Sequence, residues 1–350
     1  MLSKTVDSCH NRTMTNGQRA PIVAYIVAVP ETAGSALYGM VDVLAATGNL
    51  WQQLVGSELP QQLIRPRVVS DRRKAFQCGN GIPVRPDCCI ADDPKPEIII
   101  LPELWLGPDE DISGRYDAIV EWVRRSYLGG ASIYSACSGS IMLAETGLLN
   151  GRPATSHWGF ERLFRTRYPA VEFKPEPALQ IADAGGRIVT AGGTTSWHDL
   201  AIHIIARHCS PGEAARIAKV YLLKSHDEGQ LPYAALVKHA PHADAVVREC
   251  ESFLKQNYLE ANAVIKTVEQ SRVPERTLKR RFKAATGLSI IDYVQNLRIE
   301  EAKHLLETTD LPIDEIGVQA GYENLSFFRQ LFRRRCGLSP AGYRRLFRSS

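Results

Sequence analysis

Two sets of residues in this chain have the types and spacing to do chemistry. The first centres on a cysteine, in Tyr134-Ser135-Ala136-Cys137-Ser138-Gly139-Ser140, between an apolar stretch and a helical one. Small neighbours tolerate the sharp bend of a nucleophile elbow, and a helix N-terminus favours the thiolate. His157 follows in Thr155-Ser156-His157-Trp158 and completes a Cys–His pair suited to nucleophilic catalysis. A bland alternative stays open beside it: a free cysteine is often a small buried hydrophobe, and a lone histidine is often structural. The second set is cationic and polar: Arg276, Lys279, Arg280 and Lys283, then Ser326, Arg329, Gln330 and Arg333. Guanidinium and ammonium groups of this kind can reach guanine edges and phosphates.

The elements that must position the second set repeat themselves. Leu278, Phe282, Gly287, Leu288, Ser289 and Tyr293 return 50 positions later as Phe328, Phe332, Gly337, Leu338, Ser339 and Tyr343. A fixed period marks one structural unit used twice. In the first unit a short helix, 263–270, turns at Ser271-Arg272-Val273 into a second helix that starts at Pro274 and ends at Gly287. At about 100° per residue, Leu278 and Phe282 share one face. Arg276, Arg280 and Lys283 share the opposite face, with Lys279 on its flank. The second unit places Ile313, Ile316 and Val318 before the Gly321 turn, Phe328, Leu331 and Phe332 on a core side, and Ser326, Arg329, Gln330 and Arg333 outside. An amphipathic helix over 290–306 connects the two. One charged helix face is often only solvated. Two helix-turn-helix patterns with matched turns and cationic outer faces point to DNA recognition helices.

The elements around the cysteine have another character. PIVAYIVAVP at 21–30 and EIIIL at 97–101 are continuous apolar runs of the kind buried on both faces of a parallel sheet. Helical spacing at 36–54, 111–128, 139–146, 197–207 and 213–223 alternates with strands at 67–70, 131–135 and 187–191. That alternation predicts a three-layer α/β sandwich, flavodoxin-like with a mainly parallel sheet, followed by an all-α double helix-turn-helix domain. The expected division is a disordered tail over 1–20, an α/β domain over 21–224, a linker over 225–243 and a helical domain over 244–350. From Ala245 onward there are 18 Lys and Arg against 13 Asp and Glu; the preceding residues hold 24 against 25. The positive charge belongs to the helical part and calls for an anionic partner there. The eight cysteines are scattered without zinc spacing, so no metal and no cofactor is expected and the thiols read as reduced. With no apolar leader in the first 20 residues and no membrane-length apolar run, a cytoplasmic protein is expected.

The helical part resembles the AraC-type DNA-binding domain. The resemblance rests on A-x2-LL at 302–306, I-x2-I at 313–316, G-Y-x3-S-F-F at 321–328 and F-x4-G-L-S-P-x2-Y-R ending at Arg344. It implies two recognition helices in successive major-groove segments of double-stranded DNA. Base reading then falls to Arg276, Lys279 and Arg280 in the first unit and to Ser326, Arg329 and Gln330 in the second. Pro274 stands where serine is usual.

The α/β part resembles the PfpI-type branch of the class I glutamine amidotransferase-like superfamily. The motifs are A-C-S-G-S-x2-LAE-x-GLL-x-G-R-x-AT-x-HW at 136–158 and VTAGG-x3-W-x-DLAIH at 189–203. The resemblance implies an elbow cysteine working with a histidine, and a glutamate near the first strand bonded to that cysteine. Gly34–Gly39 carries no carboxylate, Glu31 sits earlier, and Ser138 follows the cysteine where protease-like members have histidine. Both departures count against turnover. The two domains in this order resemble GlxA-type AraC regulators, which implies a homodimer sensing a small, often nitrogenous, effector, with RNA polymerase as a further partner. The implied pocket holds Cys137, Ser138, His157, Trp158, Gly192 and Gly193. Trp105, Trp158 and Trp197 are candidates to face a cationic headgroup. The alternative reading is an amidase or hydratase using Cys137 and His157. A redox role for Cys137 is a third.

Overall fold

The computed structural model describes residues 20–56, 61–237 and 242–348. Apart from Ala20, the tail expected over 1–20 lies outside them. The chain forms two compact units that part between Gln230 and Leu231.

In the first unit the strands are β1 (Ile22–Val27), β2 (Ile64–Ser70), β3 (Phe76–Cys78), β4 (Ile82–Val84), β5 (Cys88–Cys89), β6 (Ile98–Leu101), β7 (Ser132–Ala136), β8 (Pro153–Ala154), β9 (Glu172–Phe173), β10 (Leu179–Ile181) and β11 (Ile188–Ala191). Seven form one sheet in the order β10-β11-β7-β6-β1-β2-β5. Every pair in it is parallel except β10–β11. The helices are α1 (Gly34–Ala45), α2 (Leu50–Val55), α3 (Asp117–Leu128), α4 (Gly139–Glu145), α5 (Glu161–Arg167), α6 (Trp197–His208) and α7 (Pro211–Tyr221). Alternate residues of β1 serve different layers: Tyr25 and Val27 pack with α3 and α4, whereas Ala24 and Ile26 pack with α1, α6 and α7. This period of two is the three-layer sandwich seen from one strand.

Two helix expectations need correction. The helix read over 36–54 is two helices, because Gly48 takes φ +68° and a Cβ there would lie 2.1 Å from the Gln61 carbonyl oxygen. The helix read over 111–128 begins at Asp117; Ile112 is buried from a loop instead. Within the stretch expected as a linker, 225–243, the backbone at His226, Ala234 and Leu236 is bound by side chains. Asp199 takes the His226 N–H in the first unit at 3.0 Å. In the second unit the Leu236 N–H donates to Glu300 at 2.6 Å, and Lys303 donates to the Ala234 carbonyl at 2.9 Å.

The second unit contains α8 (Ala245–Asn257), α9 (Ala263–Ser271), α10 (Glu275–Thr286), α11 (Ile290–Thr308), α12 (Ile313–Gln319), α13 (Leu325–Cys336) and α14 (Pro340–Phe347). It has two cores, and α11 supplies both: Ile290, Tyr293 and Val294 to the first, Ile299, Ala302 and Leu306 to the second. The 50-residue repeat is a repeat of geometry. Phe282 meets Tyr293 edge to face at 5.4 Å, and Phe332 meets Tyr343 at 5.5 Å. Gly287 and Gly337 end their helices in the left-handed region, φ +77° and +75°. Ser289 and Ser339 cap the helices that follow. Pro274 is the N-cap residue of α10 and offers no side-chain cap, whereas Asn324 caps α13 by accepting the Phe327 N–H at 2.9 Å.

Phe282 and Phe332 are both fully buried. Replacing either by alanine is expected to cost about 3–5 kcal/mol, read as a lowered urea midpoint for the helical unit's transition with the α/β transition unmoved.

Candidate effector site and nucleic-acid interface

The C-terminal ends of β1, β6 and β7 converge, as ligand-bearing loops do in open α/β sheets. Backbone bonds zip the β1 and β6 loops together: the Ala33 N–H donates to Glu103 O at 2.8 Å, and the Trp105 N–H donates to Glu31 O at 2.6 Å. Cys137 follows β7 directly and takes φ +53°, a left-handed conformation unusual for a side chain with a Cβ. The elbow expected from the motif is therefore present. Gly139 behind it is obligatory, since a Cβ there would sit 2.2 Å from the Leu101 carbonyl oxygen.

The environment of the thiol differs from the expectation. Cys137 is 2% exposed, and its Sγ donates to Glu103 Oε1 at 3.6 Å. Thr194 donates to the same oxygen at 3.1 Å. Burial, with the Glu103 carboxylate adding to it, pushes the thiol far above its ordinary range. Burial also raises Glu103, against the opposing bonds from Thr194 and Cys137. Desolvation outweighs the helix N-terminus, so the sulfur is held as a neutral thiol and not as the thiolate the elbow suggested. The carboxylate sought near β1 is supplied from β6. Its sequence signal was there to find: Glu103 follows a four-residue buried strand by one proline.

The other pocket residues fall into distinct roles. Ser138 is fully buried and committed to one backbone unit, donating to Leu104 O at 2.6 Å and accepting the Leu104 N–H at 2.7 Å. It positions the Glu103 loop. His157 Nδ1 accepts the Gly159 N–H at 3.0 Å, and its ring leans over Trp158 with centroids 4.8 Å apart. Ser156 donates to the Cys137 carbonyl at 2.8 Å, joining the His157–Trp158 loop to the elbow. The Trp158 N–H and Gly192 both face the side chain of Gln230, which sequence reasoning passed over. Gly193 opens the short turn 194–196 that carries Thr194. Of the three tryptophans, Trp105 is exposed beside Gly79. Trp197 wedges against Gly39 of α1 and lines a cleft of about 610 Å³ with Asp42, His198 and Tyr221.

In the second unit Arg276, Lys279, Arg280 and Lys283 of α10 are all exposed, as are Ser326, Arg329, Gln330 and Arg333 of α13. Leu278 and Phe282, and Phe328, Leu331 and Phe332, are buried behind them. Lys279 pairs with Glu275 at 2.5 Å and Arg329 pairs with Asp314. Among the described residues no ion pair engages Arg276, Arg280, Lys283 or Arg333. Arg298 of α11 binds both ends of the assembly: Nε donates to Tyr258 O at 2.7 Å and Nη1 to Gly321 O at 2.8 Å.

A double helix-turn-helix unit with cationic outer faces, preceded by an α/β unit with an elbow cysteine, defines a DNA-binding transcriptional regulator. Residues 268–346 match the helix-turn-helix domain model, and residues 49–207 match the DJ-1/PfpI family. The chain is 27% identical over 293 residues to the HTH-type transcriptional regulator CdhR of Pseudomonas aeruginosa, spanning 82% of this chain and 83% of CdhR. It is 27% identical over 228 residues to the HTH-type transcriptional regulator GlxA of Rhizobium meliloti, spanning 64% and 68%. Among solved structures, Drosophila melanogaster DJ-1beta aligns over 59% of this chain and all of its own at 18% identity and a TM-score of 0.46. The chain joins a DJ-1/PfpI-type domain to a helix-turn-helix domain, and across both it is similar to proteins named as HTH-type transcriptional regulators. Among the described residues no helix is long and apolar enough to cross a membrane.

Iodoacetamide is expected to label Cys137 more slowly in the native protein at neutral pH than in the unfolded chain, followed by peptide mass spectrometry. Glu103→Gln removes a charge that raises the thiol and should speed labelling. Rapid labelling of native Cys137 at pH 7 would show a thiolate and overturn this account.

Proposed function

We propose that the chain is a cytoplasmic, homodimeric regulator whose first unit senses a small, nitrogenous effector and whose second reads two adjacent major-groove segments. The observation that carries the reading is the pair of recognition helices, seated by the same Phe–Tyr contact, with unlike exposed faces. Arg276, Lys279 and Arg280 read bases from α10, with Lys283 toward phosphate. Ser326, Arg329 and Gln330 read from α13, with Arg333 toward phosphate. The more basic first helix and the more polar second one then take unlike half-sites. RNA polymerase is the further partner of a regulator of this kind. The effector lies among Cys137, His157, Trp158, Gly192 and Gly193. Cys137 shapes that pocket and turns nothing over, a reading supported by its burial and raised pKa and by relatives named as regulators.

Binding of a labelled duplex is expected to fall roughly a thousandfold or more between 50 and 200 mM salt, since phosphate neutralisation releases counterions. No binding at low salt sinks the regulator reading. Arg280→Ala is expected to cost about 1–3 kcal/mol at one base position only; an equal loss on every sequence would make Arg280 a phosphate contact. Cys137→Ala should leave duplex affinity unchanged.

A further inference from the structure

Gln230 is the last residue of the first unit, and Leu231 opens the second. Its side chain is 3% exposed. Its Nε2 lies 3.1 Å from Thr155 Oγ1 and 3.0, 3.3 and 3.1 Å from the carbonyl oxygens of Ser156, Pro175 and Pro177. Its Oε1 accepts the Trp158 N–H at 3.3 Å. Carbonyl oxygens only accept, and a backbone N–H only donates, so the two ends of the amide are set without ambiguity. Gly192 closes the site from above: a Cβ there would lie 2.1 Å from Nε2. The main chain is held as closely, for the Gln230 N–H donates to Glu176 O at 2.8 Å.

The arrangement has the form of a ligand site. Three carbonyls and a hydroxyl surround one nitrogen, a single N–H meets one oxygen, and a glycine makes room. That pattern is complementary to a primary carboxamide. A carboxylate would set an oxygen against three carbonyls, and an ammonium ion would leave the Trp158 N–H without an acceptor. Two of the residues expected to line the effector pocket, Trp158 and Gly192, face this amide. The elbow is one step away, since Ser156 bonds both Gln230 and the Cys137 carbonyl.

We propose that the Gln230 side chain is a built-in occupant of a carboxamide site, and that a small ligand bearing a primary carboxamide displaces it. Displacement frees the segment that runs straight into the DNA-binding unit, so occupancy of the site reaches that unit through the chain itself. This rests on the reading of the first unit as a ligand sensor. The site is not the elbow thiol, and no bond is made or broken.

The test uses the full chain as Gln230→Ala. That change removes four heavy atoms, and acetamide has the same four. Gln230→Ala is expected to lower Tm by roughly 5–10 °C, as lost buried hydrogen bonds in a unit of this size should. Acetamide, at constant ionic strength, should recover at least half of the loss with a saturable dose, while acetate and ammonium chloride recover none. Wild type should shift only at higher acetamide concentrations, because there the amide must compete with the Gln230 side chain for the site. Duplex affinity of Gln230→Ala should differ from wild type and return toward it with acetamide. If Gln230→Ala does not fold, Gln230→Glu serves, because its carboxylate is repelled by the carbonyls and leaves the site open to acetamide. The proposal is overturned if acetamide stabilises neither variant, if acetate or ammonium act as well as acetamide, or if duplex affinity ignores both the variant and the amide. Absence of duplex binding by every protein, wild type included, sinks the regulator reading instead and leaves the thermal result standing.

Discussion

The spacing between the two helix-turn-helix units depends on one helix and one guanidinium. Helix α11 gives its first turns to one core and its later turns to the other. A helix of 19 residues is a rigid rod about 28 Å long at ~1.5 Å per residue. Arg298 lies near its middle and donates to carbonyls on both sides, at Tyr258 before the first helix-turn-helix and at Gly321 within the second. Gly321 takes φ +84°, and a Cβ there would press the Arg298 Nε at 3.1 Å. A side chain at that turn would disturb the contact that registers one reader against the other. On this frame each recognition helix needs only a local seat, and the repeated Phe–Tyr pair supplies it.

A different balance governs the elbow. Three effects act on Cys137: a left-handed backbone that sets the residue at the C-terminal end of β7, a helix N-terminus that favours negative charge, and burial beside a carboxylate that opposes it. Helix α4 is only seven residues long and Ser138 spends its hydroxyl on Leu104, so the favourable field is small. Desolvation of a sulfur 2% exposed is the larger quantity. The scaffold of a nucleophile is kept while burial raises the pKa of its thiol.

Much of this was legible in the residues themselves. Alternating apolar strands and helices specify a parallel α/β layer because each strand is buried on both faces, as in β1 and β6. The repeat specifies two helix-turn-helix units, because glycine caps, serine caps and aromatic seats are local requirements that a spacing of 50 preserves. The eight outer-face residues could be named from periodicity, since a helix face is a local property. What the sequence could not decide were contacts between residues far apart in the chain. Glu103 meets Cys137 only because β6 and β7 are neighbours in the sheet. Gln230 reaches Thr155 and Trp158 across more than 70 residues, in a stretch whose polar composition reads as linker. Protonation of the thiol followed the same rule, since it depends on burial, and burial is a property of the folded unit. The sequence by itself determined the elements, their faces and the class of partner. The tertiary structure decided which polar groups meet, because the hydrogen bonds and desolvation that set the site's chemistry arise only once distant strands and loops are packed together.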